Sequence, residues 1–141
     1  MNIVDYGAEF FAGLMCGVNT IPGNYYLTLT TEEPEMAGDG TDLSEPVDGS
    51  YARKTISNPS DWETLSDGVF SNVDSYSWIA TTDWGTVYYV VLVSTSTVAT
   101  GEVYGYWELD QPVLIEAGNQ FFLPIGGISF SVTGPDQIFL D

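Results

Sequence analysis

The chain has 141 residues, 44% apolar and 14% aromatic but only 16% charged, the reverse of a disordered composition and enough for one enclosed core. Twenty acids face two bases, Arg53 and Lys54, for a formal net charge of −18, which sets aside nucleic acids and anionic lipid surfaces as partners, since both are held by cations. Histidine is absent and cysteine occurs once, at Cys16, which removes imidazole bases, the usual zinc sites, Ser-His and Cys-His pairs and intrachain disulfides.

Residues 4–16 form the one expected helix. Tyr6, Phe10 and Leu14 recur at four-residue spacing on one face, with Phe11 and Met15 beside them. Asp5 suits a cap or the first turn, and Gly17 supplies a left-handed stop. Gly7 and Gly13 lower the intrinsic propensity, so packing has to hold this helix. It is expected to be mostly buried, against its own sheet or a neighbouring subunit, with Phe10, Phe11 and Leu14 as interface candidates. Cys16, among apolar neighbours, is expected to be a buried, inert thiol. Asp5 and Glu9, and no Lys or Arg, precede the apolar stretch 10–18, so it lacks the positive start of a signal peptide. No apolar run reaches bilayer length. The expectation is a soluble protein made without secretion and without a membrane partner.

Beyond Ile21-Pro22-Gly23 the pattern turns to strands. Residues 25–31 alternate, Tyr25, Leu27 and Leu29 on one face and Tyr26, Thr28 and Thr30 on the other. Residues 32–48 carry seven carboxylates and are broken by Pro34, Gly38, Gly40 and Pro46, which makes them a long acidic loop. A short strand at 51–56 and a turn at Asn58-Pro59-Ser60-Asp61 follow. Residues 86–93, Thr-Val-Tyr-Tyr-Val-Val-Leu-Val, suit a strand covered on both faces. Short strands are expected at 103–109, 113–115, 120–124, 128–132 and 138–140, separated by turns at 100–101, 110–112, 117–119, 126–127 and 134–135. The fold class is therefore mainly β: one domain over 1–141, an antiparallel β-sandwich or jelly-roll-like barrel over about 24–141, preceded by one short N-terminal helix.

Chemistry is sparse. Glu102, Glu108 and Asp110 lie among Tyr104, Tyr106 and Trp107, and a glycosidase needs two carboxylates flanking a sugar. The preferred reading is outward-facing acids on a strand whose other face is core, with no catalytic residues. Asp39, Asp42, Glu45 and Asp48 recur at every third position, an oxygen set of the kind calcium takes. They miss the EF-hand pattern, so a solvated acidic loop is preferred and no metal or cofactor is expected. The two cations are each expected to meet an acid. Arg53 suits a bidentate pair anchoring the acidic loop to its strand. Contact with a neighbouring subunit is the alternative for Arg53 and Lys54. Trp62, Trp78, Trp84 and Trp107 are expected as core or interface anchors.

Tyr25-Tyr26-Leu27-Thr28-Leu29-Thr30-Thr31-Glu32-Glu33-Pro34, then a Gly/Asp-rich loop, then Gly49-Ser50-Tyr51-Ala52-Arg53-Lys54, resembles a pattern of small phage virion proteins usually labelled phage tail fibre protein or head decoration protein. Asp83-Trp84-Gly85-Thr86-Val87, Tyr104-Gly105-Tyr106-Trp107-Glu108-Leu109 with Pro112-Val113, and Glu116-Ala117-Gly118-Asn119-Gln120-Phe121 with Pro124 and Gly127 are similar in the same order. The helix departs from that pattern in lacking the polar and basic residues that go with it, and residues 134–141 are an addition to it. The resemblance implies a non-catalytic virion component, assembled in the host cytoplasm. The role implied is a capsid decoration (cement) protein or head fibre, the alternative a tail fibre or baseplate subunit binding host-surface carbohydrate. Partners would be further copies in a homotrimer and the major capsid protein or other virion proteins.

Overall fold

The β-branched and aromatic run of residues 86–93 is the middle of the fold. A computed structural model describes residues 1–131. Within them the order is β1 (Asn2–Ile3), α1 (Asp5–Met15), β2 (Asn24–Thr30), β3 (Lys54–Ser57), β4 (Trp62–Ser66), β5 (Val69–Asn72), β6 (Tyr76–Ile79), β7 (Gly85–Val93), β8 (Val103–Ile115), β9 (Gln120–Leu123) and β10 (Ser129–Ser131). The strands pair antiparallel into a five-stranded sheet, β1-β8-β7-β2-β3, a three-stranded sheet, β10-β5-β4, and the pair β6-β9. The fold is mainly β with one short helix, as expected, and among the described residues these sheets do not close into a barrel. The strand expected at 138–140 lies outside the described residues.

Alternation along β2 and β7 builds two cores on opposite faces of the large sheet. Tyr25, Leu27, Leu29, Val90 and Leu92 face a cluster completed by Trp78, Phe121 and Leu123 of the β6-β9 pair and by Ile128, just before β10. Val91 and Val93 face a second cluster with Val4, Val103 and Tyr106, against which Leu43 of the acidic loop packs. Both faces of this sheet are thus covered, as the apolar run requires.

A shift of register between Leu92 and Val93 opposes them to Gly105 and Val103. It places Tyr104 on the same face as Trp107. The Tyr104 ring there receives α1, with centroids 5.0 Å from Phe10, 5.7 Å from Tyr6 and 6.2 Å from Phe11. A Cβ on Gly7 would run into the Tyr104 carbonyl, so glycine is what lets the helix approach this closely.

Several sequence expectations are corrected. The helix packs on its own sheet but is not mostly buried: Gly7 is its one buried residue, and Tyr6, Phe10, Phe11 and Leu14 are half-buried. Cys16 is exposed, because it sits at the C-cap, two residues past Leu14, where the packed stripe ends. Residues 110–112 are not a turn between two strands. A second register shift, between Val87 and Tyr89, leaves residues 109–112 bulged within a continuous β8, a position where Pro112 forfeits no ladder hydrogen bond. The strand expected at 51–56 begins at Lys54. Strands β4, β5 and β6 have no counterpart in the sequence reading, although Asp67-Gly68, with Gly68 at φ +73°, is the dipeptide that turns a hairpin.

Candidate functional site

The acidic loop is a lid with a buried pin. Arg53 donates from Nε to Glu45 Oε1 at 3.0 Å and from Nη2 to Oε2 at 2.9 Å, the bidentate geometry expected for it. The two side chains are 0% and 3% exposed. The remaining guanidinium nitrogen donates to the Thr95 carbonyl at 2.9 Å and the Thr100 carbonyl at 3.0 Å. Glu45 also accepts from Thr28 Oγ1 at 2.8 Å and from the Ala99 N–H at 3.0 Å, Ala99 being held at φ +61°. The Tyr51 hydroxyl lies 2.9 Å from Glu45 Oε1 and accepts from the Leu29 N–H at 3.1 Å. Three chain segments therefore meet on one carboxylate.

Burial pushes the Glu45 carboxyl upward, but the Arg53 hydrogen bonds, the Ala99 N–H, the Thr28 hydroxyl and the Arg53 charge outweigh it and hold the group below the usual carboxylate range. Burial, then the Glu45 charge, pushes the Tyr51 phenol well above its ordinary value, so it stays a donor. Asp48 anchors the far end of the loop. It accepts from Ser50 N–H at 3.0 Å, Thr81 N–H at 2.9 Å, Thr82 N–H at 3.1 Å and Trp84 Nε1 at 2.7 Å. The Ser50 N–H, then the Thr81 hydroxyl, hold it well below the carboxylate range.

The four calcium candidates do not converge. Asp39 accepts from Thr41 at 2.8 Å and Asp42 accepts from the Asp39 N–H at 3.0 Å, while Glu45 and Asp48 serve the two anchors. No group of three or more His, Cys, Asp or Glu is placed to hold a metal among the described residues. The loop is also less solvated than expected: Pro34, Gly40 and Pro46 are buried.

Of the two cations, Arg53 is enclosed within its own chain, paired with Glu45. Lys54 makes no ion pair among the described residues; its ammonium lies 5.8 Å from the Trp78 ring centroid. All four indole N–H groups are engaged inside the chain. Trp62 donates to Asn58 Oδ1 at 2.9 Å, Trp78 to the Ala52 carbonyl at 2.8 Å, Trp84 to Asp48 and Trp107 to the Ser129 carbonyl at 2.6 Å. Glu108 and Asp110 are exposed and Glu102 half-buried; none of the three lines either of the two pockets described next.

The larger pocket is an apolar groove of about 660 Å³ between α1 and the three-stranded sheet, bordered by Phe11, Leu14, Trp62, Phe70 and Phe130. Two interface candidates, Phe11 and Leu14, border it; the third, Phe10, packs on Tyr104. The smaller, of about 470 Å³, lies over the acidic loop between Leu43, Val47, Tyr51 and Val98. The sequence reading missed Thr28, Tyr51, Asp48 and Ala99 as members of the loop anchors. Only the isolation of Arg53 signalled them.

The family described as podophage GP4 fiber I protein gp80 matches residues 10–131. No curated protein matches the chain. A match over that much of the sequence shows the family: the chain belongs to the podophage GP4 fiber I proteins and is a structural component of a phage virion.

Proposed function

We propose that this family member is a non-catalytic subunit on the outside of the particle, a capsid decoration (cement) protein or head fibre that docks as a homotrimer on the major capsid protein. The observation that carries the reading is the internal use of every indole N–H. Sugar sites rely on exposed aromatic faces backed by convergent polar groups, and here the tryptophans serve the fold. The carboxylates nearest the aromatics, Glu102, Glu108 and Asp110, likewise stand apart from both pockets.

Docking needs apolar area with few charges. The outer face of β6-β9 supplies it. Phe122 pairs with Ser77, and Ile79 with Gln120, so Phe122 and Ile79 share that face, 56% and 60% exposed. The acids on the rest of the surface keep free subunits apart until a specific surface is met.

The test is the number of copies in purified particles, with a cryo-electron map to locate them. Hundreds of copies on the shell are expected. A handful at the tail would replace this reading with a tail fibre or baseplate subunit binding host-surface carbohydrate, the second reading, which the fibre description of the family favours. Binding on a glycan array would support that second reading.

A further inference from the structure

The homotrimer proposed above has to overcome its own charge. Each copy carries −18, and like charges set against each other in an interface oppose association. Ion pairs between copies offer little relief. The Arg53 side chain is fully buried and paired with Glu45 of its own chain, which leaves Lys54 as the one other cation. Copies therefore have to meet where neither presents an acid.

Sequence and fold together supply such a face. Glu9 and Glu32 bracket the longest stretch of the sequence without a charged residue, and its first half covers the end of α1 and the turn after it. Met15, Val18 and Ile21 stand out there, 88%, 80% and 65% exposed. This apolar knob is fixed in shape. Gly17 turns the chain at φ +73°. The Val18 and Asn19 N–H groups both donate to the Gly13 carbonyl, at 2.8 and 3.0 Å, and Asn19 Nδ2 donates to the Phe10 carbonyl at 3.1 Å. A preorganised protrusion loses little freedom on docking.

The groove beside α1 is its counterpart. Phe11 and Leu14 of the helix and Trp62, Phe70 and Phe130 of the three-stranded sheet line it. Its one polar lining side chain, Asn58, is already engaged, donating to the Pro22 carbonyl at 3.0 Å and accepting from Trp62. No charged side chain lines it, and about 660 Å³ is room for a few large apolar side chains. A threefold ring needs two different patches on every copy, each meeting the other on the next copy. Knob and groove are such a pair.

We infer that Met15 and Val18 of one copy enter the groove of the next, three times around the ring. This rests on the homotrimer reading and names the surface that builds it. Cys16, exposed in the single chain, lies between the two knob residues and is covered in the assembly.

The experiment follows the purified full-length protein by sedimentation, for its mass, and by circular dichroism, for its fold. Wild type is expected at three times the mass of the chain. Val18→Asp and Met15→Asp, both at exposed positions, are expected at the mass of one chain with unchanged spectra. Val47→Asp, the same kind of change at a 97% exposed position in the acidic loop, is expected to keep the trimer. If both knob variants stay trimeric, the inference falls and the homotrimer stands. A wild-type monomer or dimer removes the homotrimer itself, and the inference with it. Loss of the trimer in Val47→Asp as well would also overturn the inference, because added charge anywhere would then suffice. A second measurement reads the native thiol. Cys16 should react with a bulky maleimide more slowly in the wild-type trimer than in Val18→Asp, and equal rates would sink the inference. Salt screens the acids and should tighten the trimer; loosening would mean that charge pairs hold it, against the apolar contact.

Discussion

The five-stranded sheet is covered on its two faces by opposite means. One face is closed by aromatic and aliphatic packing from α1 and the smaller sheets. The other is closed in part by a loop with no strand or helix of its own, held through Arg53, Glu45 and Asp48. Apolar packing is non-directional and tolerates small shifts. The polar cover depends on a few short, aligned contacts, and Thr28 and Thr30 beneath it are fully buried. The two faces should therefore fail differently: the apolar one gradually, the polar one when a single atom is removed.

The largest effect should follow from Arg53→Ala. It leaves Glu45 as a buried, unpaired charge, which costs about 3–5 kcal/mol, to be read from the urea midpoint. A loss under about 1 kcal/mol, as at exposed pairs, would break the comparison. Replacing both partners, Arg53→Met with Glu45→Leu, should recover part of the loss, because no uncompensated charge remains.

Acid should act on the same face. The folded Glu45 carboxyl lies below its ordinary value, so its contribution is present above the unfolded value and lost as pH falls through the folded one. Protonating the other acids relieves repulsion and works the opposite way, which is why a difference is needed. Between pH 7 and about pH 3.5, spanning the ordinary glutamate value, wild type should lose more urea stability than Glu45→Gln. Equal losses would remove Glu45 as the acid-sensitive contact.

On the apolar face the sharpest test is Gly7→Ala. Helix propensity alone makes this change stabilising by about 0.8–1 kcal/mol. The added Cβ meets the Tyr104 backbone, which cannot swing aside as a side chain would, and overpacking of this kind costs about 1–3 kcal/mol. A net loss is expected, seen as a lower melting temperature. A gain would mean that α1 can lift from β8 freely.

The same two faces explain what could be read from the sequence. Period-two alternation at Tyr25, Leu27 and Leu29 and the unbroken run at 86–93 placed the centre of the sheet, because each strand's own residues carry that signal. Arg53 stood out as a cation in an acidic chain, which pointed to a bidentate partner but not to Glu45, since seven carboxylates of the loop were equivalent until folded. The anchors Thr28, Tyr51 and Ala99 lie 17, 6 and 54 positions from Glu45 and have no local signature. Strand β4 reads as polar because four of its five residues are exposed. Cys16 looked buried by its neighbours' character, but helix phase and the C-cap placed it outside.

The smallest expected effect belongs to the loop's near end, where Tyr106 Oη donates to Glu33 Oε1 at 2.6 Å. Glu33 is exposed, so water competes for it, and Tyr106→Phe should cost only about 0.5–1.5 kcal/mol, the net worth of an ordinary hydrogen bond. The phenol is pushed up to about 12, first by that hydrogen bond and then by burial. A raised folded value means the contribution is intact below the ordinary tyrosine value, near 10, and is lost as pH rises through about 12. Tyr106→Phe should therefore show a shallower alkaline loss than wild type and an unchanged acid loss, the mirror image of Glu45→Gln. If Tyr106→Phe instead cost as much as Arg53→Ala, the loop would be held from its near end, and the buried ion pair would be a consequence of the cover rather than its pin.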